Sequence, residues 1–317
     1  MFISSLERDS QRCEAIFATN DYVFKRLFGR KGNEDITIDL LNSILSDKIV
    51  EISLDENPIL EKDIKDDKIG ILDIKATINK DVSTDIEMQV VEKSDIEKRL
   101  LFYWSKLYIK GIESGEDYSV LNKTICILIV AYELDNLEEL KNYHTEWKII
   151  ETKYRKTVLT PVFEIHIINL RKLEILKKEE ISIISPKDKK LLEWCKFIKN
   201  SNIKYEGENE MIKKAQKELD KMKQDTREQM LAELRLKYIL DQNATEKYGF
   251  NRGFKEGISR GIEQGIEQGI EQGIEQGSKN KSHQIAKKML KNGVKINEIK
   301  EYTGLSEKEI ESLNEND

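Results

Sequence analysis

Cysteine is nearly missing from this sequence. The three residues present, Cys13, Cys126 and Cys195, lie far apart and make no metal-ligand spacing. A disulfide framework is not expected, and the thiols read as reduced in a cytoplasmic protein. Long apolar runs are missing too. Nothing approaches the roughly 20 apolar residues of a membrane span, and the longest candidate, ICILIVAYEL (125–134), has strand length. No membrane partner is expected. The start, MFISSLERDSQ, carries no long apolar run, so no signal peptide is expected either. An excess of positive charge is also absent. The net charge of −6 supplies no global field to draw the chain onto nucleic acid, so any such site must be a local patch. Histidine is scarce, and His144, His166 and His283 are scattered, with no nucleophile at a known spacing. They carry no role in this reading.

What is there is polar and helical. Hydrophobic residues make up 38% of the 317 and charged residues 35%. That balance implies that part of the length builds no core. Composition changes near residue 205: apolar segments of both periods alternate before it, and helix formers and charges dominate after it. Residues 1–205 therefore read as the folded domain and 206–248 as a helical linker. NDYVFKRLFG (20–29) predicts a short helix, capped by Asn20 or Asp21 and ended by Gly29. EDITIDLLNSIL (34–45) predicts a second helix and VEISL (50–54) a short strand. KIGILDIKATINKDVSTDIEMQVV (68–91) predicts a hairpin turning at Asn79–Asp81. SDIEKRLLFYWSKLYIKGIESG (94–115) predicts a helix, with Ser94 and Glu97 at capping-box spacing. KTICILIVAYEL (123–134) has the continuous apolarity of a buried central strand, and VFEIHIINLRKL (162–173) predicts another strand. A helix with Pro186 near its start follows. The order predicts an α/β fold with a mixed sheet, in which the helix after MQVV crosses over to ICILIV.

The hairpin holds the candidate chemistry. Successive strand side chains point to opposite faces. Ile86, Met88 and Val90 therefore share an apolar face, and Asp85, Glu87 and Gln89 share the other. On the partner strand Leu72, Ile74 and Ala76 lie opposite Asp73 and Lys75. With both apolar rows packed on one side, Asp73 and Glu87 fall on neighbouring strands about 5 Å apart. Two such carboxylates repel unless a cation sits between them. Hard oxygen ligands suit Mg²⁺ or Mn²⁺, which activate water and steady charge on a phosphate. Gln89 is placed to orient that water, and Asp85 at the rim. The row alone would also suit an ordinary half-exposed strand. On the following helix Arg99, Tyr103, Lys106 and Lys110 form one stripe, either a phosphate-tracking face or a solvated basic surface. Asp21 reads as a helix cap, and Lys25, Arg26, Arg30 and Lys31 as surface charge.

Asp73 followed by Glu87-x-Gln89 resembles the PD-(D/E)XK nuclease superfamily, in the branch where Gln replaces Lys. DYVFKRLFG, LLNSIL, ILDIKA, IEMQ, RLLFYWSKLY and GEDYSVLNKTICILI, in that order between about residues 18 and 135, resemble the Rpn family of recombination-promoting nucleases and transposase-like proteins. The resemblance implies a restriction-endonuclease-like α/β core, a mixed sheet flanked by helices, followed here by a long C-terminal helical extension. It implies a metal-dependent endonuclease acting on double-stranded DNA, linked to recombination or to defence against foreign DNA. By the same resemblance Asp73 and Glu87 are the metal ligands and Gln89 stands for the lysine. Leu72 occupies the place of the family proline. Gln89 brings no cation to the transition state, which Lys75 can supply. The alternative is a catalytically degenerate nuclease fold that bridges partners through its C-terminal helix.

From Gly249 to Gly277 a glycine recurs every four residues, and the later units read GIEQ. Glycines weaken a helix, and Glu263, Glu267, Glu271 and Glu275 stack like charges at i,i+4. Residues 249–278 therefore read either as a helix ordered by self-association, giving a homo-oligomer, or as a spacer. Residues 279–317 resemble a helix-turn-helix, with Gly293 and Gly304 as stops and Ser306 and Glu309 as a capping box. The last helix, SEKEIESL, is acidic for a major-groove reader, which favours an interaction or inhibitory module.

Overall fold

The computed structural model describes residues 15–55, 74–89, 95–176 and 184–313. Among these, two helices come first, α1 (Asp21–Phe28) and α2 (Glu34–Ile44). The Asn20 side chain caps α1 by accepting from the amides of Tyr22 and Val23, and Gly29 ends it. Strands β1 (Ile52–Leu54), β2 (Ile74–Ile78) and β3 (Val82–Gln89) follow. Asn79 and Lys80, both at positive φ, make the tight β2–β3 turn. The Asn79 side chain also bonds the backbone at Lys48 and Val50, which fixes the turn against the chain entering β1.

Helix α3 (Ile96–Ile109) leads to β4 (Thr124–Val130), β5 (His144–Trp147) and β6 (Phe163–Asn169). The predicted capping box of α3 rests on Ser94, outside the described residues. Asp95 is the N-cap without a side-chain bond, and the Glu97 carboxylate receives the Asn136 amide instead. The six strands form one mixed sheet in the order β1-β2-β3-β4-β6-β5. β3, β4 and β6 run parallel, and β1, β2 and β5 join antiparallel. β4 is buried along its whole length, as an apolar central strand must be.

Helices cover both faces. Ile96 and Leu100 of α3 pack on Cys126, Leu128, Val130, Ile165 and Ile167. On the other face α1 and α2 are joined by α4 (Pro186–Lys199), α5 (Glu210–Gln224) and the first turns of α6 (Thr226–Lys291). Ile212, Ala215, Leu219, Leu231 and Ala232 belong to the same core as Ile86, Met88 and Ile127, so packing continues past residue 205. Composition could not show this, because α5 buries only one stripe of an otherwise charged helix. Asp39 of α2 ties the layer together, accepting from Trp194 and Lys190 of α4 and from Asn209, the cap of α5.

The chain divides into two compact units, up to Asn243 and from Ala244. In the second, the Gly-Ile-Glu-Gln repeat is helical throughout, as part of α6. The end of α6 packs with α7 (Ile296–Thr303) and α8 (Glu307–Ser312) around Ala286, Ile299, Leu305 and Ile310. Gly293 and Gly304 take positive φ at the turns, and Ser306 and Glu309 form the capping box.

Candidate functional site

β3 presents two opposite rows. Ile86 and Met88 face the larger core, while Asp85, Glu87 and Gln89 lie beside Cys126, Leu128 and Val130 on the face that α3 covers. The row is therefore not a free surface edge. Asp85 is 5% exposed, so it lies inside the site and not at its rim. It stands opposite Lys75 in the β2–β3 register, and Ile74 stands opposite Ile86. Asp73 lies outside the described residues.

The basic stripe of α3 arrives over this row. Arg99 Nη2 lies 3.9 Å from Glu87 Oε1, a loose ion pair in which only 13% of the Glu87 side chain is exposed. The same guanidinium donates to the Tyr103 hydroxyl at 3.3 Å and sits over its ring. Tyr103, Lys106, Leu107 and Lys110 then line a cavity of about 220 Å³ with Lys75 and Asp85. Lys110 also lies 3.9 Å from Asp55. The structure thus brings Lys75, Glu87, Gln89, Arg99, Tyr103, Lys106 and Lys110 to one face of the sheet. Anionic oxygen donors at the strand end and cations on the crossing helix can hold a divalent ion and a phosphate side by side.

Asp21 and Arg26 are not what the sequence suggested. Asp21 makes a buried ion pair with Arg235, 2.6 Å at its shortest, and Arg26 pairs with Glu228 at 2.6 Å. Neither is surface charge, and the cap of α1 is Asn20. Cys126 and Cys195 are both buried. Burial alone pushes the Cys195 thiol far above its ordinary value.

Two of the scattered histidines meet. His144 and His166 stack with Nε2 and Nδ1 at 2.9 Å. His166 Nε2 lies 2.8 Å from Glu164, whose other oxygen receives Lys123 at 2.8 Å. Burial, with His166 and Lys187 beside it, pushes the His144 imidazole down to about 4. Burial opposes charge on Glu164, but hydrogen bonds from His166 and Lys123 prevail and hold its carboxyl at about 2. The missing signal was β5. HTEW is a four-residue polar edge strand with no apolar alternation, so nothing in the sequence aligned His144 with β6.

With the geometry in hand, comparison with known proteins gives two matches. The family model of the PD-(D/E)XK nuclease family transposases matches residues 18–249. That of the C-terminal HTH domain of the Rpn/YhgA-like nuclease family matches residues 279–315. Neither a curated protein nor a solved structure matches the chain. Among the described residues, no helix is long and apolar enough to cross a membrane.

Proposed function

We propose a function from one premise: the chain belongs to the PD-(D/E)XK nuclease family transposases and ends in the HTH domain of the Rpn/YhgA-like nucleases. We infer that it is a metal-dependent endonuclease that hydrolyses phosphodiesters in double-stranded DNA, in the service of recombination or of defence against foreign DNA. The observation that carries this reading is the row Asp85, Glu87 and Gln89, enclosed beneath a basic helix rather than open to solvent. A degenerate scaffold has no use for a buried acidic row facing Arg99 and Lys106.

Glu87 offers a hard anionic oxygen in a mostly enclosed setting, which fits Mg²⁺ or Mn²⁺. In this reading Asp73 and Glu87 hold the ion. The β2–β3 register supports the pairing, because one further step from Ile74 opposite Ile86 would set residue 73 against residue 87. Such an ion, when bound, lowers the pKa of a water and neutralises charge developing on the phosphate. The chain's own residues do the rest. Gln89 orients the water through its amide but cannot take a proton from it. Lys75 supplies the cation that the family lysine would. Arg99, Lys106 and Lys110 hold flanking phosphates, with Tyr103 positioning Arg99. The repeat of α6 joins copies of the chain into a homo-oligomer, and the acidic tail restrains or assembles the nuclease.

The test is cleavage of supercoiled plasmid by the wild type, Glu87→Gln and Asp73→Asn, with Mg²⁺ and with EDTA. We expect metal-dependent nicking by the wild type and at least a hundredfold loss in either variant. Unchanged cutting by Glu87→Gln would remove this row from the chemistry. No cutting by the full chain at any metal tested would favour the bridging scaffold.

A further inference from the structure

Between β5 and β6 the chain leaves the sheet. The pairing of the two strands ends at Trp147 opposite Ile165, and residues 146–159 are exposed without a break. The segment still folds back on itself as a short ribbon. Ile150 bridges Val158, and the Leu159 amide donates to the Ile149 carbonyl and the Glu151 amide to the Thr157 carbonyl, both at 2.9 Å. Ile149 thus stands opposite Leu159 on one side of the ribbon, and Ile150 opposite Val158 on the other. The tip, Thr152 to Lys156, is closed by two bonds. The Thr157 amide donates to the Tyr154 carbonyl at 2.8 Å, and the Tyr154 amide donates to the Glu151 carboxylate. Among the described residues, the hydrogen bonds of residues 149–159 stay inside this ribbon. Ile149, Ile150, Tyr154, Val158 and Leu159 are 41–75% exposed, so no core holds it.

We propose that this arm, residues 148–160, is a second contact with duplex DNA, in which Lys153, Arg155 and Lys156 take backbone phosphates and Tyr154 lies against the groove. The proposal rests on the DNA-directed reading of the nuclease row. Charge is the first argument. The whole chain carries −6, yet the arm holds Lys148, Lys153, Arg155 and Lys156 against Glu151 alone. The Glu151 carboxylate is turned to the backbone of the tip, and Lys148 pairs with Glu146 at 2.6 Å. Among the described residues, none of the other three cations meets a carboxylate, and Lys153 lies over the Tyr154 ring, 5.4 Å from its centre. Cations grouped around an exposed aromatic, on a ribbon that the core does not use, suit a polyanion. Shape is the second argument. The apolar side chains pair across the ribbon and stiffen it, and a two-stranded ribbon is narrow enough to enter a major groove. Placement is the third. The arm returns into β6 at Phe163, whose ring lies 4.7 Å from that of Trp104 on α3. Trp104 follows Tyr103, which lines the cavity with Asp85 and Lys106. The arm therefore springs from beside the helix whose cations face the nuclease row. Phosphate contacts of this kind set position and not sequence.

The test uses the full chain in EDTA, to hold cleavage off, and a fluorescent duplex of about 30 base pairs followed by anisotropy between about 50 and 200 mM KCl. The logarithm of the parent's affinity should fall linearly with the logarithm of the salt concentration. Each phosphate contact contributes about 0.9 to that slope. Lys153→Ala, Arg155→Ala and Lys156→Ala combined should make the slope shallower by about 2–3 and weaken binding at least about tenfold at about 100 mM salt. Lys153→Arg, Arg155→Lys and Lys156→Arg combined should keep the slope. Tyr154→Ala should weaken binding severalfold with the slope unchanged. All four side chains are exposed, so none of these changes reaches the core. Unchanged slope and affinity in the triple alanine variant would overturn the proposal, as would a parent that binds duplex without salt dependence. So would loss of self-association in Ile149→Ser combined with Leu159→Ser while DNA binding stays intact, which would make the arm a contact with another protein chain. Plasmid cleavage is read separately. Cutting by the wild type with an unchanged slope in the alanine variant removes the arm alone, and an altered slope without any cutting removes the nuclease reading alone.

Discussion

Arg235 reaches 214 residues back along the sequence to Asp21. Its Nε lies 3.0 Å from both carboxylate oxygens and its Nη2 lies 2.6 Å from one of them. Both side chains are at most 10% exposed. Removing one partner strands a buried charge, which usually costs about 3–5 kcal/mol, whereas replacing both with apolar groups is often near neutral. Arg235→Met should therefore lower the stability of the folded unit by about that amount, and Asp21→Leu combined with Arg235→Met should restore much of it. Urea unfolding followed by circular dichroism reads both. A single-variant loss below about 1 kcal/mol would mean that water reaches the pair as it reaches surface ion pairs. Three more contacts seat the start of α6 on α1: Tyr22 and Arg26 to Glu228, and the Asn20 amide to the Ala232 carbonyl. Local reading assigned Asp21 to a cap because Asp is a good cap. Its true partner is long-range and leaves no mark nearby.

At the scale of the element, the repeat in α6 is a helix that carries a glycine, a poor helix former, at every fourth position. A Cβ added at any glycine from Gly249 to Gly277 meets nothing within 4 Å. No steric need for glycine exists within the chain itself. Ile258, Ile262, Ile266, Ile270 and Ile274 are 48–68% exposed. Open glycines beside an exposed apolar stripe fit close approach by a second helix, and a four-residue period above 3.6 favours a right-handed wrap. Replacing Gly261, Gly265, Gly269 and Gly273 with Ala should add up to about 1 kcal/mol of helix propensity at each position. The expected result is higher helicity in dilute protein together with weaker self-association in sedimentation velocity. Association that strengthens in step with helicity would mean the glycines keep no space for a partner. Elements with a clear period were legible in the sequence: β3, β4, β6 and α3 stand where alternation, continuous apolarity and 3.6-residue spacing put them. The tail stops at Gly293 and Gly304 were legible because a positive φ favours glycine. β5 was not, because HTEW is short and polar, and its pairing with β6 depends on residues about twenty positions away. The candidate site was half legible. Alternation gave the row and helical spacing the stripe, but the depth of Asp85 comes from β4 and α3 packing around it.

At the scale of the molecule, the question is what the second unit does to the first. A cut at residue 205 cannot answer it, since it would strip Ile212, Ala215, Leu219, Leu231 and Ala232 from the core and unfold the nuclease unit. A cut after Asn243 keeps them, and keeps Arg235 on Asp21. If Asp73 and Glu87 hold the ion as proposed, one such site per chain can break one strand at a time. Linear product from a supercoiled plasmid then requires two chains held together, or two independent nicks close by. If α6 supplies that pairing, the chain ending at Asn243 should be monomeric and should still nick in Mg²⁺, but its ratio of nicked to linear product should rise several-fold. Sedimentation velocity and an agarose gel read the two parts separately. The acidic α8, with Glu307, Glu309 and Glu311 against Lys308 alone, gives the opposing outcome its physical basis. A carboxylate-rich surface repels DNA and can shield a basic groove. Faster total cutting by the shortened chain, with no change in the product ratio, would make the tail a brake and leave assembly to some other surface.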